Sequence, residues 1–415
     1  MFKKILTLSV FANLVLFAMG SRFVLIVGLL VMSVLGYEQY LRSRQMKFRR
    51  TYIPGRYATR LPFLPYSELE YNKEYNQVFG TRKKRAEVFA KKVNISSPLI
   101  NYIQGLRKTS FVLDSQLSGS KIYLFGGSTI DCQEVPDDYT VPSLLQKSIN
   151  TSQNNTFEVV VCGVGGAKLN ANYALLKELP VKQGDICIFY FGANETDFPV
   201  ASFQTRFPAS LIPQFNLLYT LSRKYNILSV FRILHKFQIV NENHPTFTEK
   251  NREIKEILDK ICAQSEETRF KFAAILQPCL YTRVPMIRQD KKVLKKYFDS
   301  PRGKMIRYFN QTIVEINQNE NYFIDGQKIF DSTNLDVYID WVHTNYLGNQ
   351  IISDFINSVL RQNFFGDDSS IFQPPKRASY SSKDMPKSMP RAVSKQDEND
   401  DDNIYGVNPF NYPLF

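Results

Sequence analysis

Lys121-Ile-Tyr-Leu-Phe125-Gly126-Gly127-Ser128-Thr129 is a short apolar run that breaks on two glycines and a serine. Such a run suits a strand buried on both faces, and the glycines let the chain bend sharply at its carboxyl end. The pattern recurs downstream. Phe157–Cys162 leads into Gly163-Val164-Gly165-Gly166, and Ile186–Phe191 leads into Gly192-Ala193-Asn194-Glu195. Two further apolar runs, Phe272–Leu276 and Lys328–Asp331, follow, with helical patterns near 141–149, 170–179, 249–264, 302–316 and 346–361. Strands this apolar, separated by helices, predict an α/β domain over 119–365 with a parallel sheet of about five strands covered on both faces. In such sheets functional groups gather beyond the carboxyl ends of the strands.

The flanks read differently. With 44% hydrophobic residues among 415, the chain has enough apolar material for a core, which excludes a wholly disordered or fibrous protein. Residues 5–19 and 23–36 are apolar runs separated only by Gly20-Ser21-Arg22, and Lys3-Lys4 precede them. They predict a membrane anchor within 1–40: a signal-like run followed by an anchor, one long tilted helix, or a shallow hairpin. The net charge of +13 is concentrated next to it, between Arg42 and Arg60 and at Arg82-Lys83-Lys84-Arg85. This basic juxtamembrane region, 41–118, suits anionic lipid head groups or membrane-protein partners better than nucleic acid. A helical stretch is expected near 84–92. An apolar insertion, 198–245, reads either as an extra packed helical pair or as a lid for an apolar substrate. The polar tail, 366–415, carries an acidic run from Asp397 to Asp402 and is expected to be disordered. The five cysteines show no metal-ligand spacing and read as small core side chains.

Four elements could carry chemistry. Ser128 stands at a strand's carboxyl end, where an exposed nucleophile would sit, although Gly-Gly-Ser also makes an ordinary strand-to-helix turn. The glycine loop ending at Gly166 and the amide of Asn194 supply uncharged donors of the kind a developing oxyanion requires; each alone is equally a tight turn or a helix cap. Asp340-Trp341-Val342-His343 supplies a base and the acceptor that would hold its ring. The other two histidines, His235 and His244, have no aspartate at that spacing.

Taken in order, these elements resemble the SGNH (GDSL-type) hydrolase family. Phe125-Gly126-Gly127-Ser128-Thr129 stands where that family has its Gly-Asp-Ser block, and Gly166 where it has its oxyanion glycine. Gly192-Ala193-Asn194-Glu195 stands for Gly-x-Asn-Asp, and Asp340-x-x-His343 for Asp-x-x-His. Two departures are Gly127 and Glu195, each where the family has aspartate. The resemblance implies a flavodoxin-like three-layer sandwich and a serine esterase in which Ser128, His343 and Asp340 are catalytic. Ser128, Gly166 and Asn194 would form the oxyanion hole, and neither a metal nor an organic cofactor would be needed. Expected substrates are esters of lipids or small molecules, or O-acyl groups on glycans. The alternative is a catalytically silent SGNH-like domain serving as scaffold or subunit of a membrane assembly. Lys3-Lys4 and the signal-like first run favour an extracytoplasmic domain, whereas the charges from Arg42 to Arg60 argue for the cytoplasm. Asn94, Asn150 and Asn310 lie in glycosylation sequons and would be candidate acceptors in a eukaryotic lumen.

Overall fold

The computed structural model describes residues 68–79, 90–117, 119–151, 156–196, 245–284, 301–331 and 337–366, short pieces at 203–205 and 238–240, and single residues at 36, 88, 217, 333 and 335. The expected anchor, most of the apolar insertion, most of the helical stretch near 84–92 and the tail lie outside the described residues. Among the described residues no helix is long and apolar enough to cross a membrane. The chain divides into two units. In the smaller, Phe203–Thr205 pairs antiparallel with Gln238–Val240.

The larger unit is built on five parallel strands: β1 (Lys121–Gly126), β2 (Glu158–Gly163), β3 (Ile186–Phe191), β4 (Lys271–Leu276) and β5 (Phe323–Asp325). Their order across the sheet is β2-β1-β3-β4-β5, the flavodoxin-like arrangement, in which the chain reverses direction across the sheet at β1 and β3. Every residue of β3 is buried, as expected of a central strand. Side chains alternate between the faces. Ile122, Leu124, Ile186, Ile188, Ala273 and Ile275 share one core with Val141, Leu145, Ile352 and Ile356. Phe125 and Phe189 point to the other face, where their rings stack 4.6 Å apart.

The first face is covered by two packed helices, α2 (Val141–Asn150) and α6 (Tyr346–Phe364). Thr140 caps α2 by accepting from the Ser143 N–H, and the Asn345 side chain caps α6 by accepting from Leu347 and Gly348. On the other side α4 (Pro245–Thr268) packs on both α3 (Leu169–Glu178) and α5 (Pro301–Asn317). The helices expected near 141–149, 170–179, 249–264, 302–316 and 346–361 are all present. The fifth strand is displaced: Lys328–Asp331 forms turns, with the Ile329 N–H on the Gly326 carbonyl and the Asp331 N–H on the Lys328 carbonyl. The strand is Phe323–Asp325, whose pairing begins with Phe323 opposite Ala274. Both stretches carry an adjacent Ile and Phe, so apolar content does not separate them: Phe323–Asp325 is a short, partly buried edge strand, and Phe330 is buried as part of a turn.

Upstream of β1, α1 (Glu68–Phe79) and a small hairpin, Tyr102–Ile103 with Leu106–Arg107, belong to the same unit. Arg107, Tyr102 and Thr109 are buried, and Thr109 donates to the Val159 carbonyl of β2 at 2.6 Å. The described part of the basic region is thus hydrogen-bonded to the sheet, while its own apolar side chains, among them Tyr71, Phe79, Ile100 and Tyr102, form a separate buried cluster. Asn310, one of the sequon asparagines named above, is 3% exposed on α5 and closed to glycosylation in the folded chain.

Candidate active site

β1 ends at Gly126, and Gly127 precedes a single helical turn, Ser128–Asp131, whose Ile130 and Asp131 N–H groups both donate to the Gly127 carbonyl. Cys132 closes the turn with φ 48°. Ser128 is thus the first helical residue, a position whose N–H has no acceptor within the turn. Its hydroxyl lies 2.7 Å from His343 Nε2.

The histidine comes from the bend that precedes α6. An antiparallel bridge joins Tyr338 and Thr344, the Ile339 N–H donates to the His343 carbonyl, and the Asn345 N–H donates to the Val337 carbonyl. Within this bend Asp340 has two tasks. Its Oδ1 accepts the N–H groups of Val342 and His343 at 2.8 and 2.7 Å, which fixes the turn. Its Oδ2 lies 2.7 Å from His343 Nδ1, which fixes the ring. With Nδ1 against a carboxylate, the proton belongs on Nδ1, and Nε2 is left to accept from the Ser128 hydroxyl. Burial raises the Asp340 carboxyl, but the charge of His343 and these hydrogen bonds outweigh it and hold the group below the ordinary carboxylate range. His343 itself is 4% exposed.

Asn194 opens the one-turn helix after β3, and its Nδ2 donates to the Ala167 carbonyl at 2.8 Å. The same nitrogen lies against Gly127, where an added Cβ would stand only 2.2 Å from it. The amide therefore sits between the serine turn and the loop after β2. It keeps a second N–H for another acceptor. Gly166, next to Ala167, has φ +85°, and no atom stands within 4 Å of where its Cβ would be, so its backbone borders open space. Ser128, His343 and Asp340 form one hydrogen-bonded chain, and Asn194 and Gly166 stand on the loops beside it.

Three further residues shape this site. Glu195, longer by one methylene than the aspartate of the family pattern, uses that length. One carboxylate oxygen accepts the Leu169 N–H at the start of α3 (2.7 Å), and the other accepts the Gly192 N–H after β3 (2.8 Å). Burial raises this carboxyl, and the two N–H groups offset the rise in part. The carboxylate caps a helix whose own N-cap, Lys168, offers no side-chain bond. Glu134 brings Oε1 to 3.9 Å from His343 Nε2. Arg107 holds the loop that carries Glu134. It bonds Asp137 at 2.8 Å and the carbonyls of Asp131, Cys132 and Val135 at 2.9, 2.6 and 2.6 Å. Nothing local announces Glu134 or Arg107: Cys132-Gln133-Glu134-Val135-Pro136 reads as a plain loop, and one arginine disappears into a basic region.

No protein-family model matches the chain, and no curated protein matches it. Among solved structures it is similar to an acetyl xylan esterase at 14% identity and a TM-score of 0.34, covering 58% of this chain and 99% of that one. An acetylxylan esterase from Geobacillus stearothermophilus matches at 15% identity and a TM-score of 0.33, covering 60% and 95%. A protein described as lipolytic and of the G-D-S-L family, from Desulfitobacterium hafniense, matches at 12% identity and a TM-score of 0.33, covering 58% and 100%.

Proposed function

We propose that this chain is a serine ester hydrolase of the SGNH type, held at a membrane by its N-terminal apolar runs. The observation that carries the reading is the unbroken chain from Ser128 Oγ through His343 to Asp340, both links 2.7 Å long. A serine hydroxyl is a poor nucleophile unless a base removes its proton, and the base must be held in the right tautomer. His343 takes the Ser128 proton as Oγ attacks the ester carbonyl and returns it to the departing alcohol; Asp340 stabilises the imidazolium that exists in between. The N–H groups of Ser128 and Gly166 and the amide of Asn194 receive the oxyanion. Water then attacks the acyl-serine with the same base.

A lipid acyl ester and an O-acyl group on a glycan are the two substrate classes in view. The membrane anchor and the apolar insertion favour the first, and the signal-like first run favours an extracytoplasmic domain. Both points rest on the sequence. Carbonate washing of membranes reads the anchor, and protease treatment of intact cells reads the side.

The test of function is labelling by a fluorophosphonate together with hydrolysis of p-nitrophenyl esters of graded chain length. Wild type should do both, and Ser128→Ala should do neither. Absence of both from folded wild type at every chain length would favour the scaffold reading instead.

A further inference from the structure

Glu134 faces the same nitrogen of His343 that faces Ser128, with Oε1 3.9 Å from Nε2 and its side chain only 12% exposed. The backbone around it is held by two buried side chains, Tyr71 and Arg107. The Tyr71 hydroxyl lies against the carbonyls of Gln133 and Val135, the second at 3.1 Å. Arg107 donates to the carbonyls of Cys132 and Val135 at 2.6 Å each. Three contacts on the adjoining residues and a fourth on Cys132 fix the backbone from which this carboxylate projects.

We propose that Glu134 is a second carboxylate of the His343 base, a positioning residue that holds the imidazolium on its Nε2 side while Asp340 holds it at Nδ1. The inference rests on the hydrolase reading above. In the step concerned the Ser128 O–H bond breaks, an Nε2–H bond forms, and that proton passes to the leaving alcohol oxygen; Glu134 neither gains nor loses one. At 3.9 Å it acts through charge, which favours the protonated ring and so strengthens the base. Among the described residues, Asp340 faces the ring at Nδ1, and Ser128 and Glu134 face it at Nε2. On the loop that carries Glu134, Asp137 is paired with Arg107, and Asp131 accepts from Tyr102 and Gln133. The segment carrying Tyr71 and Arg107 then has a task at the site: it keeps the second carboxylate in place.

A charge removed from beside an imidazolium makes the ring easier to deprotonate. In the full-length protein, Glu134→Gln should therefore move the acid limb of the fluorophosphonate labelling rate to lower pH by about one unit, a tenfold change in the ratio of protonated to neutral imidazole at fixed pH. The plateau rate should fall on the order of tenfold because the base is weaker. Glu134→Asp keeps the charge and should retain most of the wild-type limb. NMR titration of His343, one of only three histidines and assigned by its loss in His343→Asn, should give the same downward shift in Glu134→Gln without any substrate. A His343 midpoint identical in wild type and a folded Glu134→Gln protein would overturn the inference. If the midpoint moves but wild type neither labels nor hydrolyses, the carboxylate pairing stands and the hydrolase reading fails.

Discussion

At Gly127 a single missing atom sets the arrangement of the donor side. The Asn194 nitrogen occupies the space a Cβ would need, standing 2.2 Å from where that carbon would be, while the amide is held from behind by the Ala167 carbonyl. Glycine at this position thus has a steric counterpart in the Asn194 amide packed against it. Gly127→Ala should push the Asn194 amide aside and lower kcat by about 10²–10³, the usual cost of one oxyanion donor. Asn194→Ala should do the same, and the double variant should be no slower than either single one, because both remove one interaction. Multiplying losses in steady-state kinetics would show that Gly127 acts by another route. Glu195 makes the complementary point: the sequence reveals a longer arm, and only the fold shows two N–H groups placed at its reach.

At the scale of an element, the bend between Val337 and Asn345 combines structure and chemistry in one carboxylate. Asp340 caps the turn and orients His343, so its charge serves both the local fold and, in the proposed hydrolase, the base. Its native pKa lies below the ordinary 3.8, which means the ionised group stabilises the fold above that value and the contribution is lost as pH falls towards the native pKa. Asp340→Asn should therefore lower the thermal midpoint at pH 7 and show a shrinking deficit as the pH approaches 3. An equal deficit at pH 7 and pH 3 would assign the loss to the amide's geometry and not to charge. The Asp-x-x-His pair is legible in sequence as a possibility of contact. The bridge from Tyr338 to Thr344, which turns both side chains towards the serine, is not.

At the scale of the molecule, the region upstream of β1 is held through Arg107 to the end of the sheet that carries Ser128. The guanidinium is fully buried and joins Asp137 to three backbone carbonyls of the loop that follows Ser128. Burial lowers its pKa, and the charge of Asp137 with those of its other neighbours more than reverses this, so the group stays charged. Removing one partner of such a pair leaves the other buried without its counter-charge. Arg107→Ala should cost about 3–5 kcal/mol in urea unfolding. For the same reason a chain starting at residue 119, the boundary suggested by composition, should fold poorly, since it lacks Tyr71, Tyr102, Arg107 and Thr109. A fragment 119–366 with wild-type unfolding midpoint and fluorophosphonate labelling would refute this account.

What the sequence by itself determined is the local grammar: four of the five strands, the covering helices, and glycine, serine and asparagine at the strands' carboxyl ends. These follow from short-range rules, because a strand buried on both faces must be apolar throughout and must end on residues that can turn. The Asp340 and His343 spacing is equally local. Tertiary structure decided the rest. It placed Ser128 and His343, 215 residues apart, at hydrogen-bond distance by ordering the strands β2-β1-β3-β4-β5. It chose Phe323–Asp325 over the similarly apolar Lys328–Asp331 as the edge strand. It buried one arginine of a basic region beside Asp137, and it brought Glu134 to the histidine. None of these leaves a local signal, because burial, strand order and the pairing of distant charges are settled by the packing of elements whose own sequences do not encode their neighbours.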